Sequence, residues 1–500
     1  MTKDYTKIDS IVNENIERLR KKLSTHYCGI KTDIDRAILQ ALLKNSFRAL
    51  YDHISYLPLS SNEGITVTKE SVILNNAGVI KPSLKRILFH YIYLLGSSLF
   101  ITLEILKSLL QPSLNRGEKK FSFVDINLNS TSPLKDQEEG FIEFCHSNKI
   151  PLLNQSDDLY FVSTNKEYSK DNFYFKRKRL LLAPIQEGLL KKSELLALLV
   201  KVKMVLIRNL FWSLRFPKLA IVSHHIGWLA IIEFLNAKSL INNYFVTNTY
   251  LLFQPIWFNE LPYGQKRNYR SHILFYSTNN KGLRPLNQSL PKEPFPYFDF
   301  IKCDEAWVWN EGDKKWIEDY TNIKRVNIVG SILFYTKSDE SLSSSKEKRV
   351  GVFDVPVFND NFLKTVTHEN LYMYNSEEAV LTFLQDILEA CDETGHKMCL
   401  KVKRGIKSEF HSEKYISFVE KLKKSSVHEV HSENINLYDF ISHSDAVITL
   451  PFTSPYFVAE ESGKPATFYD PTKRADERPY YEGNVKYNKD ELISFLKENA

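Results

Sequence analysis

The amino-acid sequence predicts an α/β protein with two Rossmann-like domains in tandem, and three stretches carry that expectation. Residues 445–471 (DAVITLPFTSPYFVAEESGKPATFYDP) read as a buried strand from Ala446 to Leu450, a short turn, a helix and a second strand from Ala466 to Tyr469. This is the βαβ grammar of a parallel sheet. From Lys120 to Gly330 strands and helices alternate in the same way. Between the two regions, Ser338 to Lys348 (SDESLSSSKEK) is serine-rich and charged, which reads as a linker.

A chain of 500 residues with 43% hydrophobic content can bury more than one core. Lys and Arg number 66 against 60 Asp and Glu, a net charge of +6. That excess is too slight for nucleic acid without a concentrated basic patch bearing stacking aromatics, and the sequence has no such patch. The five cysteines (Cys28, Cys145, Cys303, Cys391, Cys399) are scattered, odd in number and without metal-ligand spacing, which suits a reducing cytosol. The charged N-terminus has no apolar signal core, so a cytoplasmic protein is expected. There is no G-x-G-x-x-G, G-x-x-x-x-G-K-[ST] or H-E-x-x-H string either, and the expected chemistry is metal-independent, with no bound cofactor.

In chain order, residues 1–118 are expected to form a helical N-terminal region. Its apolar run from Ile87 to Leu110 contains His90, Gly96 and Glu104, and reads as a buried helix or one lying against a membrane surface rather than a spanning helix. Residues 119–336 form the first Rossmann-like domain, with strands at Phe121–Ile126, Leu159–Thr164, Lys218–Ser223 and Tyr244–Gln254, and a long helix from Ser193 to Phe216. On that helix Lys201, Arg208 and Arg215 recur at seven-residue spacing and so share one stripe. Such a stripe suits an anionic membrane surface, or equally a solvated face of a core helix.

The expected strand Lys218–Ser223 runs into His224-His225-Ile226-Gly227-Trp228. Ligands gather at the carboxyl ends of strands in α/β sheets, and a histidine there can serve as an acid/base group or as a structural hydrogen-bonder. The loop from Pro255 to Arg270 combines Trp257, Glu260, Lys266 and Arg267, a set suited to stacking and hydrogen-bonding a sugar, or to a plain surface loop. We take His225 and Glu260 as candidate catalytic groups, and His224, Trp257, Lys266 and Arg267 as candidate acceptor-binding groups.

After the linker at 337–348, residues 349–500 form the second Rossmann-like domain. Its helix from Ser376 repeats apolar residues at Val380, Phe383, Leu384, Ile387, Leu388 and Cys391, with Gly395 as its stop. The strand Met398–Val402 ends in Lys403-Arg404-Gly405. In the turn that follows Leu450, Ser454 suits an N-cap and Pro455 the first helical position, with the helix ending near Gly463. A helix N-terminus beside Thr453 and Ser454 hydroxyls suits an anionic group, phosphate above all, though an ordinary capped helix has the same sequence. Lys401, Lys403 and Arg404 would gather cations around the same anion, or form a solvated charge run. Pro451 belongs to the same turn, and Glu460 can reach a ribose.

The run Asp445…Ile448, Pro451-Phe452-Thr453-Ser454, Ala459…Gly463-Lys464-Pro465, Tyr469-Asp470-Pro471 resembles the donor-binding end of GT-B glycosyltransferases that build bacterial surface polysaccharides. The likeness extends to Gly351–Val355 and Leu400–Arg404, and among these enzymes the chain looks most similar to those transferring Kdo from CMP-Kdo. The resemblance implies a GT-B fold, two Rossmann-like domains facing a cleft. It also implies a CMP-type nucleotide sugar on the C-terminal domain, and a surface polysaccharide or lipid-linked glycan as acceptor on the N-terminal one. Peripheral contact with the inner membrane is expected from the helix patterns and no nucleic-acid partner from the charge. Val402-Lys403 stands where such enzymes often have His-Pro, and Asn310-Glu311-Gly312 resembles the acidic-acidic-Gly motif of bacterial sialyltransferases with Asn in place of the first acid. A GT-B sugar epimerase, a glycerol-phosphate transferase and an inactive scaffold share the same architecture.

Overall fold

The computed structural model describes residues 54–57, 64–67, 72–75, 78–82, 84–112, 120–125, 150, 158–163, 168–170, 173–177, 180–247, 254–259, 261, 265–275, 301–321, 323–331, 347–355, 357, 377–403, 405–406, 411–433, 435, 437–451, 453–473 and 484–499.

The first strands lie where the sequence reading expected helices. β1 (Ile54–Leu57), β2 (Gly64–Val67), β3 (Val72–Asn75) and β4 (Gly78–Pro82) form an antiparallel sheet in the order β1-β4-β3-β2. Short β-branched runs such as Gly-Ile-Thr-Val and Val-Ile-Leu-Asn favour a pleated strand over a helix. Among the described residues the helical expectation holds for α1 (Leu84–Leu109), and the helices expected before Ile54 lie outside the described residues.

The second sheet comprises β5 (Phe121–Asp125), β6 (Asp158–Ser163), β7 (Tyr168–Lys170), β8 (Phe173–Arg177), β9 (Ile241–Thr247), β10 (Arg270–Leu274), β11 (Glu305–Val308) and β12 (Val326–Ile328). Its order is β12-β11-β10-β9-β5-β6-β8-β7, parallel throughout except for the edge strand β7. The parallel part reverses direction between β5 and β9, as a dinucleotide-binding sheet does between its first and fourth strands. Helices α2 (Lys192–Arg215) and α3 (Leu229–Ala237) precede β9, and α4 (Glu311–Tyr320) joins β11 to β12.

The expected strand Lys218–Ser223 is instead a 3₁₀ helix, Pro217–Val222, followed by a single helical turn, Ser223–Ile226. Pro217 sits at its start, where the fixed φ of proline suits a helix, and a short apolar run does not itself distinguish strand from buried helix. Gly227 faces α1: a Cβ there would lie 2.7 Å from Ser97 Oγ and 2.8 Å from Tyr93 Cε1, so the glycine admits close helix packing. Two members of the basic stripe of α2, Lys201 and Arg208, turn inward as well, while Arg215 stays exposed. Glu233 is fully buried and receives Lys201 Nζ at 2.9 Å together with the Arg208 guanidinium, so the membrane role expected of those cations gives way to a buried ion cluster.

The third sheet contains β13 (Arg349–Phe353), β14 (Lys397–Lys401), β15 (Glu429–His431), β16 (Ala446–Thr449), β17 (Ala466–Tyr469) and β18 (Val485–Lys486). All pairings are parallel, in the order β15-β14-β13-β16-β17-β18, which is the dinucleotide-binding order 3-2-1-4-5-6. Its helices are α5 (Glu377–Thr394), α6 (Glu413–Lys423), α7 (Leu437–Ser442), α8 (Ser454–Glu461) and α9 (Lys489–Asn499). Val380, Phe383, Leu384, Ile387 and Cys391 of α5 are buried against Val350, Val352, Leu400 and Ile448 of the sheet, the face that the spacing of three and four predicts. Gly395 and Gly463 end α5 and α8 with φ of +69°, a left-handed stop that glycine adopts without strain. Ser331, just past β12, donates to Glu461 Oε2 at 2.6 Å and lies 3.2 Å from the Tyr438 hydroxyl, which ties the second sheet's last segment to the third sheet's helices.

Candidate functional site

In a sheet of order 3-2-1-4-5-6 the connections after strands 1 and 4 leave on opposite faces, and a crevice opens at their carboxyl ends. Here those strands are β13 and β16, in register from Val350↔Ala446 to Phe353↔Thr449. The crevice is therefore framed by Asp354-Val355 after β13 and by Leu450 to Ser454 after β16.

Asp354 was not singled out by its sequence, yet it organises this edge. It is 4% exposed; one carboxylate oxygen accepts from the Lys403 backbone N–H at 2.8 Å and the other from the Tyr415 hydroxyl. Burial pushes its carboxyl up to about 6 against the pull of both hydrogen bonds, and burial likewise raises the Tyr415 phenol. The carboxylate thus pins the turn after β14, where Lys403 holds its side chain exposed. Lys401 is half-buried; its Nζ donates to the Glu433 carbonyl at 3.2 Å, and burial lowers its pKa although Asp354 and Glu433 oppose the shift. Arg404 lies outside the described residues.

Across the crevice, the N-cap of α8 is Thr453 rather than Ser454, so Ser454 and Pro455 move one place into the helix. The Thr453 hydroxyl donates to the Leu450 carbonyl at 2.8 Å and does not cap the helix. The positive end of the α8 dipole therefore faces the crevice without a cap from Thr453. Pro451 and Ser454 are buried in this turn. Glu460 is exposed and accepts from the Tyr456 hydroxyl at 2.6 Å, one turn back along α8.

In the N-terminal domain, His225 is buried, with its ring 4.2 Å from that of exposed His224 and 5.2 Å from Trp257, edge to face. Trp257 is 4% exposed, so the stacking face expected for a sugar is covered by the core. Glu260 lies outside the described residues. Lys266 and Arg267 directly precede β10 and so lie at the amino edge of the sheet, opposite the carboxyl-end edge where ligands gather. Arg267 is held by Asp304 at 2.7 Å and by the Phe258 carbonyl at 3.0 Å, and both residues line a surface cleft of about 570 Å³ with Arg270 and Arg325. Arg267 is thus engaged by Asp304 and Phe258, and Lys266 is exposed beside it. Glu311 is exposed in the first turn of α4, whose N-cap Asn310 accepts from Asp313 N–H at 2.8 Å, in keeping with capping.

Cys399, Glu429 and His431 approach one another on β14 and β15 closely enough to hold a metal ion. Glu429 already receives Lys397 at 2.8 Å, Arg349 at 2.8 Å and His431 at 3.1 Å, and the Cys399 thiol is pushed up to about 11, chiefly by burial. A divalent ion would have to displace two cations and a proton there, so the cluster is an ion-pair network.

Two Rossmann-like domains in tandem, the second with a helix N-terminus at its switch point, define the GT-B class of α/β proteins. Residues 204–496 match the family described as Polysaccharide biosynthesis PFTS motif protein, and the chain belongs to that family. Its Pro451-Phe452-Thr453-Ser454 string is the turn between β16 and α8. No curated protein matches the sequence. Among solved structures, Staphylococcus aureus TarM in complex with Fondaparinux, alpha-GlcNAc-glycerol and UDP is 11% identical over 54% of this chain and 52% of its own, with a TM-score of 0.33. The wall teichoic acid polymerase TagF is 12% identical over 83% and 87%, with a TM-score of 0.39. Thermosulfurimonas dismutans KpsC, a beta Kdo 2,4 transferase, is 16% identical over 34% and 49%, with a TM-score of 0.19. The chain spans about half the length of the TarM structures.

Proposed function

We propose that the protein is a glycosyltransferase that moves a sugar from a nucleotide donor onto a surface polysaccharide or lipid-linked glycan. The observation that carries the reading is the switch-point crevice, in which the N-terminus of α8 faces a turn bearing Lys401 and Lys403. Such a site favours a leaving phosphate by dipole and ammonium charge, which supports metal-independent chemistry. The turn between β16 and α8 is short and suits one phosphate better than two. Together with the sequence resemblance, that favours a CMP donor carrying Kdo or a related acidic sugar. His225 and Glu260 are the proposed acid/base groups, and His224, exposed beside His225, is the proposed contact to the acceptor. A cytoplasmic location, with peripheral contact at the inner face of the membrane where a lipid-linked acceptor is presented, belongs to the same reading.

A thermal-shift panel tests it. CMP or a CMP-sugar should stabilise the protein more than UDP or GDP, by about 2.7 kcal/mol at a hundredfold excess over Kd. A clear preference for UDP would remove the CMP assignment, and no response to any nucleotide would remove the transferase reading.

A further inference from the structure

Helices α1 and α2 pack side by side and antiparallel. The start of α1 meets the end of α2, where His90 lies 2.7 Å from Ser213 Oγ, and the end of α1 meets the turn before α2, where Ser108 donates to the Ile185 carbonyl at 2.7 Å. Of the seventeen large apolar side chains exposed among the described residues, fifteen lie on these two helices or at Leu110, directly after α1. They recur at offsets of three and four, with Leu88, Ile92 and Leu99 on α1 and Met204, Ile207 and Leu214 on α2, so each helix carries an outward apolar stripe besides the one it buries. Their exposure ranges from 45% to 89%. The resulting patch is on the order of 1,000 Å², beyond the few hundred usual on a monomer.

The charges around this face have one sign. Lys85 and Arg215 stand at one end of the pair, Lys107 and Lys192 at the other, and Lys203 midway. None of the exposed residues of either helix is acidic: Glu104 is half-buried and holds Gln186 at 2.7 Å, and Glu194 is drawn into the N-terminus of α2. By length and composition α1 could cross a bilayer, with a mean hydropathy of 1.5 over its most apolar window. Its inner stripe argues against that. Arg86 donates to the Ala220 carbonyl at 2.8 Å, His90 is bonded to Ser213 and Ser223, and Trp228 donates to Tyr93, all of which would be lost or dragged into hydrocarbon.

We infer that the paired α1–α2 face is a monotopic docking surface for an anionic phospholipid bilayer. The two helices lie flat in the headgroup layer along about 39 Å, with apolar stripes buried in the acyl boundary and the lysines at phosphate level. This deepens the membrane part of the reading above, but it rests on its own surface and not on the donor site.

The experiment is flotation of the full chain with phosphatidylcholine vesicles and with mixed phosphatidylcholine/phosphatidylglycerol vesicles. Binding should favour the anionic vesicles at least tenfold and weaken at about 1 M salt, where the Debye length falls to about 3 Å. The Lys85→Ala, Lys107→Ala, Lys192→Ala combination should lower affinity about a hundredfold, taking roughly fivefold per basic residue. Ile92→Glu with Ile207→Glu should abolish binding while circular dichroism, melting and nucleotide response stay unchanged, so that failure here is separable from failure of the transferase reading. Absence of flotation, or equal binding to both vesicle types with no effect of the lysine changes, would overturn the inference. So would a lipid-free dimer that the Ile92/Ile207 variant converts to a monomer, since a second copy would then cover the face.

Discussion

Replacing Asp354 with asparagine isolates the group that holds the crevice together. In the fold, its carboxyl is raised from 3.8 to about 6 by burial. A raised carboxyl means that the folded state binds the proton more tightly than the unfolded chain. The associated stability is fully present below the unfolded value and is lost as pH rises through the folded one, here between about 4 and about 6. Two units correspond to about 3 kcal/mol. Asparagine keeps the shape: its Oδ1 still accepts from Lys403 N–H, while its amide must donate to the Tyr415 oxygen in place of accepting from it. Urea unfolding of wild type and Asp354→Asn at several pH values should therefore show a difference that moves in favour of the variant by about 3 kcal/mol as pH rises through that window. The asparagine variant should be at least as stable as wild type at neutral pH. Parallel pH dependences would refute the reasoning and would mean that Lys401 and the two hydrogen bonds keep Asp354 ionised throughout.

Glu233→Gln should destabilise the protein by about 3 kcal/mol, the lower end of the range for breaking a buried pair, because Lys201 and Arg208 keep 27% and 25% of their side-chain surface in solvent. Thermal unfolding reads it, and a loss below about 1 kcal/mol, the scale of a surface pair, would show that the cations simply turn outward. Lys401→Ala and Lys403→Ala should each raise the donor Kd about tenfold or more, the worth of one charge-assisted hydrogen bond, by calorimetry; unchanged affinity in both would return them to a solvated charge run. His225→Ala should cut transfer 10²–10⁴-fold, roughly the span of general acid/base catalysis, with donor affinity held within a few-fold. A near-normal rate at saturating substrates would make His225 structural.

The C-terminal domain was legible because each of its signals is local. Strand, turn, helix and strand follow one another within 445–471, and α5 states its buried face in its own spacing. What escaped depends on where a chain segment travels. β9 and β10 are parallel neighbours, so the connection between them must return from the carboxyl edge of the sheet to the amino edge. Gln254 bonds to Lys302 just before β11, and Phe258 accepts from Arg267 just before β10, so the stretch read as one sugar-binding loop packs at the amino edge. Asp354 and Tyr415 are separated by 61 positions, and no local pattern links them. The 3₁₀ segment Pro217–Val222 shows the ambiguity of a four-residue apolar run, and β1 to β4 show that of short β-branched runs between polar turns.

In the proposed reading a nucleotide phosphate sits at the N-terminus of α8, between the turn that ends in Ser454 and the strand end bearing Lys401. The most direct measurement is a crystal structure with the nucleotide that gives the largest thermal shift. The sugar-proximal phosphate is expected within hydrogen-bonding distance, about 3 Å, of a backbone N–H in the first turn of α8, with the base along the carboxyl ends of β13 to β15. A nucleotide bound in the N-terminal domain, or one whose phosphate makes no contact with α8, would contradict it.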